Sequence, residues 1–343
     1  VRHDVVRNDV SSVESPAATL TRRRGVHTTG PADGAGPPDP SGAGLTPAPA
    51  APDGRDWDQD WADAGLGPVV TTKLRPPPGR PDPVARPRLI ERLEPGPGRR
   101  LTLLSAPAGF GKTTLLGEWL AGRAGVAGGA GARPAVAWVT LDEGDDDPLR
   151  FVTYLVAAVR SAVPGSAGDV LAALRSPRPP PVGALAGALV NALAAVPGGL
   201  VLVLDDYHVV AAAAVHGLVA YLIDRLPPGV RVVVAGRVEP PLPLARWRAR
   251  GQLAELHAAE LAFTPAEADA FLGGVMGLDL APADVAALTE RTEGWPAGLQ
   301  LAALSVRGRA GAERAAFLRD FSGGQRDVLD FLAAEVLQCQ PAG

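Results

Sequence analysis

Four stretches of this chain are apolar at nearly every position over strand length. They open at Leu101, span Ala135 to Leu141 and Leu200 to Asp206, and span Val230 to Gly236. A strand with one wet face would alternate, so unbroken runs predict strands covered on both faces, as in a parallel sheet between helical layers. A shorter run at Gln252–His257 predicts one more strand. Helical periodicity separates these runs: from the end of the Leu101–Leu116 stretch to Leu120, at Leu149–Val163, at about 182–196, and in the Ala-rich segment Val209–Ile223. Beyond His257 the strand pattern stops. Thr264-Pro-Ala-Glu267 has the form of a capping box with proline at the first helical position, opening a helix to about Val275. Helices are expected at 282–292 and 296–308, parted by Glu293-Gly294-Trp295-Pro296, and from Glu313 to Gln340.

The first 64 residues show no period and are dense in Pro, Gly, Ala, Ser and Asp, which predicts a disordered tail. From Val69 an extended, Pro-punctuated arm runs into a short helix near Arg88–Leu93. Such an arm packs beside a nucleotide base or serves as a domain-entry linker. The 343 residues allow one sizeable core plus a smaller one. A net charge of -4 gives no global basic field for nucleic acid. The single cysteine, Cys339, excludes an internal disulfide framework and fits a reducing, cytoplasmic setting. The longest apolar stretch contains His216 and falls short of a membrane span.

Chemistry concentrates at Leu101–Leu116, LTLLSAPAGFGKTTLL, where a strand meets a small-residue loop and a helix start. Such a loop turns backbone N–H groups toward phosphate oxygens at the positive end of a helix. Ala108, Gly109, Phe110, Gly111, Lys112, Thr113 and Thr114 are the expected nucleotide-binding residues. Lys112 reaches the β and γ phosphates, Thr113 ligates Mg²⁺, and Thr114 meets the α phosphate. Ala106 stands where G-x-x-x-x-G-K-[ST] has its first glycine. Of 33 basic residues only Lys73 and Lys112 are lysines, so a lysine here is a pointed choice.

Leu200–Asp206, LVLVLDD, is a buried strand ending in two carboxylates, the form of a Walker B strand. Asp205 is the expected Mg²⁺ ligand and Asp206 the group that orients or deprotonates water. His208 is a secondary candidate. Arg237, at the end of the Val230–Gly236 run, is the candidate sensor of the γ phosphate, with Arg246, Arg248 and Arg250 as alternatives. The acidic run Asp142–Asp147 either approaches Mg²⁺ or caps the next helix, and capping through Asp147 before Pro148 is favoured. Phe321-Ser322-Gly323-Gly324-Gln325-Arg326 imitates an ABC-transporter signature but lies on the wrong side of the Walker B strand, and is read as a turn and helix start.

With these residues in place, the chain from about Val70 onward resembles the signal-transducing STAND ATPases, and among them the maltotriose-responsive activator type of large LuxR-family regulator. The likeness is carried by TTKLRPP, SAPAGFGKTTLLGEW, AWVTLDEGDDDPLRFVTYLVAAV, LVLVLDDYH, ELAFTPAEADAFL and GWPAGLQLAALS. The resemblance implies an ASCE-type P-loop NTPase, an α/β fold with a parallel sheet of order 5-1-4-3-2 followed by an all-helical domain. After the tail at 1–64 read from composition, it implies a nucleotide-binding domain at 65–260, a helical lid at 261–320 and the start of a winged-helix region at 321–343. Pro296 matches an element that contacts bound nucleotide. It further implies that ADP holds an inactive monomer, that ATP and an inducer permit homo-oligomerisation, and that sensing and DNA reading reside in domains absent from this chain. Slow hydrolysis of ATP to ADP and phosphate is the expected reaction, with a non-catalytic nucleotide-binding or interaction domain as the alternative. A small-molecule kinase is a poorer third reading, because no acceptor lid with clustered arginines is evident.

Overall fold

The computed structural model describes residues 69–79, 82–94, 96, 98–124, 134–309 and 311–320. The expected tail, the winged-helix start, Cys339 and the ABC-like hexapeptide lie outside the described residues.

Helix α1 (Pro87–Leu93) is followed by β1 (Leu101–Ser105) and α2 (Lys112–Ala124), then by β2 (Ala135–Thr140) and α3 (Pro148–Ala162). Next come α4 (Gly168–Leu174), α5 (Val182–Ala194), β3 (Leu200–Asp205), α6 (Ala213–Arg225) and β4 (Val230–Gly236). Helix α7 (Leu244–Ala249) and β5 (Leu253–His257) complete the sheet. The order is β2-β3-β4-β1-β5, every pair parallel, which is the expected 5-1-4-3-2 read from the other edge.

The pleat sorts the apolar runs onto two faces. Leu200, Leu202 and Leu204 of β3 enter the larger core with Phe151, Leu155, Leu189 and Leu222, whereas Val201 and Val203 join Leu104, Leu115, Leu116 and Trp119 on the opposite face. Both faces are covered because each right-handed crossover places its helix on one side of the sheet or the other.

Two local expectations need amending. Val209–Ile223 is not one helix: Tyr207–Val209 form a 3₁₀ turn, and α6 starts only at Ala213. The Asp146 carboxylate accepts the N–H groups of Ala211 and Ala212 at 2.7 and 2.9 Å, holding that segment extended until the helix begins. Helix α4, between the helices expected at Leu149–Val163 and about 182–196, falls where the pattern places no element.

After β5 the chain is helical. Short α8 (Ala258–Leu261) leads to α9 (Pro265–Asp269), which runs on as a π-helical turn, Ala270–Val275, to be followed by α10 (Pro282–Arg291), α11 (Pro296–Val306) and α12 (Gly311–Asp320). The capping box is formed: Thr264 Oγ1 accepts from Glu267 N at 3.3 Å, and Glu267 Oε2 accepts from Thr264 N at 2.9 Å. Phe271, Leu272, Leu288, Leu299 and Ala303 make a third core.

Candidate nucleotide site

β1 ends at Ser105, and the loop to α2 crosses the carboxyl ends of β1 and β4. Ala106 is buried, with its N–H donated to Gly236 O at 3.2 Å. Ala106 is not among the positive-φ residues, whereas Gly109 and Gly111 have φ of +77° and +74°. The motif therefore departs from glycine only where a Cβ is tolerated. Lys112 Nζ donates to the carbonyls of Ala106 (2.7 Å) and Pro107 (3.0 Å), so the ammonium lies inside the curl of the loop. Phe110 packs partly against the smaller sheet-face core.

At the second residue of α2, Thr113 Oγ1 donates to Asp205 Oδ2 at 2.8 Å. This bond joins the two motifs across 92 residues of sequence. Asp205 is 1% exposed, and burial, with the adjacent charge of Asp206 second, pushes its carboxyl up to about 6. The Thr113 hydroxyl, the Asp206 N–H and the Lys112 charge work against that rise. Hydroxyl and carboxylate are hard oxygen donors of the kind Mg²⁺ selects.

Asp206 differs sharply from its neighbour. It takes the left-handed conformation (φ 56°, ψ 33°), which turns its side chain out of the sheet into solvent. His208 Nδ1 lies 3.9 Å from Asp206 Oδ1. Arg237 continues β4 into the cleft that Asp206 and His208 line with Leu141, Asp142 and Gly144. Two of the three alternative arginines are occupied elsewhere: Arg246 pairs with Asp224 at the end of α6, and Arg248 holds Glu255 through two bonds of 2.6 and 2.8 Å.

The acidic run is spent on structure. Asp147 caps α3 by accepting from Arg150 N at 2.7 Å, and Asp145, fully buried, pairs with Lys73 at 2.5 Å. Lys73 also meets Asp142 at 2.9 Å and stands 4.1 Å from the Tyr154 ring centre. The second lysine of the chain thus anchors the arm. Its role was missed, although the same rarity that marks Lys112 marks it too.

The helical region after β5 reaches the loop directly. Trp295 Nε1 donates to Ala108 O at 3.0 Å, and Ala297 N donates to Gly109 O at 3.1 Å. A Cβ on Gly109 would stand 2.5 Å from Ala297 Cβ and 2.8 Å from Trp295 Nε1, so only glycine permits this contact. Gly294 (φ +67°) makes the turn into α11, where a Cβ would lie 2.4 Å from Phe263 O. Pro296 is the first residue of α11 and lines a cavity of about 250 Å³ with Gly111, Thr114, Glu118, Phe271 and Gln300. The arm closes this cavity through Pro83, Val84 and Arg86. The arm thus walls the cavity beside the loop.

The structure brings Gly109, Gly111, Thr114 and Pro296 to one cavity, Ala108 and Phe110 to a second one with Trp295, and Asp206 with Arg237 to a third cleft, while Lys112 is held by the loop carbonyls and Thr113 by Asp205. Sequence reasoning missed Trp295, Arg86 and Glu118. Trp295 was within reach, as the middle residue of the Gly-Trp-Pro element.

No family model matches the chain. It is 34% identical over 271 residues to the HTH-type transcriptional regulator MalT of Cronobacter sakazakii, covering 78% of this chain and 29% of that protein. It is likewise 34% identical over 269 residues to MalT of Yersinia enterocolitica, with the same two coverages. The chain thus spans less than a third of the length of the curated relatives it matches. Among solved structures, Cdc6p of Pyrobaculum aerophilum aligns over 80% of this chain and 75% of its own, at 15% identity and a TM-score of 0.43. ORC1 of Aeropyrum pernix aligns over 74% and 67%, at 18% identity and a TM-score of 0.41.

Proposed function

Because the chain belongs with the MalT-like P-loop ATPases, a relationship spanning 78% of its length, we propose that it is the nucleotide switch of a LuxR-family transcriptional regulator. It binds ATP and ADP with Mg²⁺ and hydrolyses ATP slowly. The observation that carries this reading is the pair of hydrogen bonds from Trp295 and Ala297 to the Ala108 and Gly109 carbonyls, since they tie the lid to the loop that cradles phosphate.

In this reading the loop N–H groups and Lys112 hold the β and γ phosphates, and Thr113 with Asp205 holds Mg²⁺. Asp206 orients the attacking water from its solvent-facing position, and Arg237 answers to the γ phosphate across the same cleft. Pro296 touches the nucleotide from the lid, so nucleotide state governs lid position. ADP then favours the closed monomer and ATP the form that self-associates. DNA reading and inducer sensing belong to parts of such regulators other than this ATPase region. No helix among the described residues is long and apolar enough to cross a membrane.

The test is to purify the chain, denature it and quantify released nucleotide, with Lys112→Ala alongside. Stoichiometric ADP from the wild type and none from the variant is the expected result. Losing a charge-assisted contact of this kind costs about 100-fold in affinity. Slow turnover that Asp206→Asn lowers while nucleotide is still bound completes the assignment. A wild-type protein that carries no nucleotide and takes up no Mg²⁺-ATP overturns it.

A further inference from the structure

The cavity beside the loop is walled mainly by carbon: Pro83, Val84, Leu115, Phe263, Phe271 and Val275 face it. Two carboxylates stand within that wall, Asp82 on the arm and Glu118 on the loop's own helix, and Glu118 lies four residues beyond Thr114 and therefore on the same face of α2. Its Oε1 accepts the backbone N–H of Arg86 at 3.4 Å, and its Oε2 has no hydrogen-bond partner among the described residues. The nearest cation does not neutralise it by contact. The Arg86 guanidinium turns away to the lid, donating to Leu261 O at 2.6 Å and Ala262 O at 3.3 Å and lying 3.7 Å from Glu267.

Burial raises the Glu118 carboxyl above its ordinary value, with the backbone N–H of Arg86 opposing the rise. A carboxylate in that position is stabilised by any ligand that brings hydrogen-bond donors. Its place along the helix says which part of a nucleotide does so. Thr114 marks the phosphate end, and one helical turn separates the two side chains, about 6 Å along the axis. The side chain of Glu118 also leans back toward the helix N-terminus. A nucleotide with its phosphates in the loop presents its sugar, the next group along the molecule, at that level, and its base beyond it among the apolar residues.

We propose that Glu118 binds the ribose hydroxyls of the nucleotide and makes the site selective for ribonucleotides over deoxyribonucleotides, an assignment that rests on the nucleotide-switch reading above. Two vicinal hydroxyls are donors that one carboxylate oxygen accepts, and a deoxy-sugar leaves that acceptor unfilled in a partly buried place. The acidic group that reads ribose hydroxyls in dinucleotide-binding sheets works by the same chemistry.

The experiment is calorimetric titration of the full chain, stripped of nucleotide, with Mg²⁺-ATP, 2′-deoxy-ATP, 3′-deoxy-ATP and GTP, for wild type, Glu118→Ala, Glu118→Gln and Lys112→Ala. The wild type is expected to bind at least one deoxy analogue about tenfold more weakly than ATP. Glu118→Ala should bind ATP as weakly as the wild type binds that analogue and no longer distinguish the sugars. Glu118→Gln, which keeps an acceptor, should retain part of the distinction and shows that the loss in the alanine variant is not misfolding. Equal wild-type affinity for all the adenosine sugars overturns the proposal, as does an alanine variant that weakens every ligand equally. Loss of ATP-over-GTP preference with sugar selectivity intact would place the contact at the base and overturns it too. If the wild type fails to bind ATP, or binds it undiminished in Lys112→Ala, the switch reading itself fails and this assignment with it.

Discussion

Two adjacent carboxylates end β3, and their surroundings divide the work between them. Asp205 is sealed under the loop with its carboxyl at about 6, whereas Asp206, in the left-handed conformation, reaches solvent. An unfolded aspartate titrates near 4, so between about pH 4 and pH 6 the folded protein holds a proton that the unfolded chain has released. Stability of the protein without nucleotide therefore falls as pH rises through that window, by on the order of 2 kcal/mol. Asp205→Asn removes this penalty and should raise the thermal midpoint at pH 8, with no gain near pH 4. Metal binding has the opposite dependence, because Mg²⁺ needs the ionised carboxylate. Mg²⁺-ATP affinity should climb through pH 6 in the wild type and stay low in Asp205→Asn. A midpoint at pH 8 no higher than wild type would show that the buried carboxyl carries no such cost.

Among the elements, the arm from Val69 to α1 was the hardest to read. Its prolines mark an extended segment, but what it does is set by its two ends. At one, Lys73 enters a buried site made by Asp145, Asp142 and the ring of Tyr154. At the other, Arg88 clasps Glu267 of α9 through bonds of 2.8 and 2.7 Å and donates to the carbonyls of Glu260 and Ala262. Lys73→Ala leaves the buried Asp145 with only its longer pairing to Arg150, 3.4 Å, and should lower unfolding free energy by about 2 kcal/mol in urea titrations. Combining Lys73→Met with Asp145→Asn should recover a good part of that loss, since neither charge is then stranded. Equal instability in the single and double variants would mean that packing, not the ion pair, holds the arm.

At the scale of the molecule, the loop, the helices after β5 and the arm surround one cavity. The helical side of that enclosure rests on the indole of Trp295 and on a glycine with no room for a methyl group. Trp295→Ala should leave the sheet intact and release nucleotide about tenfold faster, as one hydrogen bond and the ring's packing are lost. A displacement assay with a fluorescent ADP analogue measures it, and an unchanged release rate would detach the lid from nucleotide retention. Gly109→Ala attacks the same contact from the loop, adding a Cβ at φ +77° where Ala297 already stands. It should weaken ADP retention more than Trp295→Ala does, because it also strains the cradle itself.

What the sequence by itself determined lies in features whose cause is local. Unbroken apolar runs gave the strands, since a doubly covered strand needs apolar residues at successive positions. Gly109, Gly111, Lys112 and Thr113 marked the loop because phosphate cradling demands those residue types at adjacent positions, and Thr264 with Glu267 marked a helix start for a similarly short-range reason. The left-handed turn at Asp206 left no local mark: the strand-end pair suggested different roles for the two aspartates, but not the backbone turn that seals one and exposes the other. The tertiary structure alone decided that division, the lysine–aspartate site of the arm, and the meeting of Trp295 with Ala108. These partners are 72 and 187 residues apart in the chain. Residue periodicity reports which face of an element is apolar, but not which distant surface will cover it. Glu118 shows the limit most plainly: on α2 it looks like any solvated helix glutamate, and only the arm and the helices after β5 turn it into a lining residue of the cavity beside the loop.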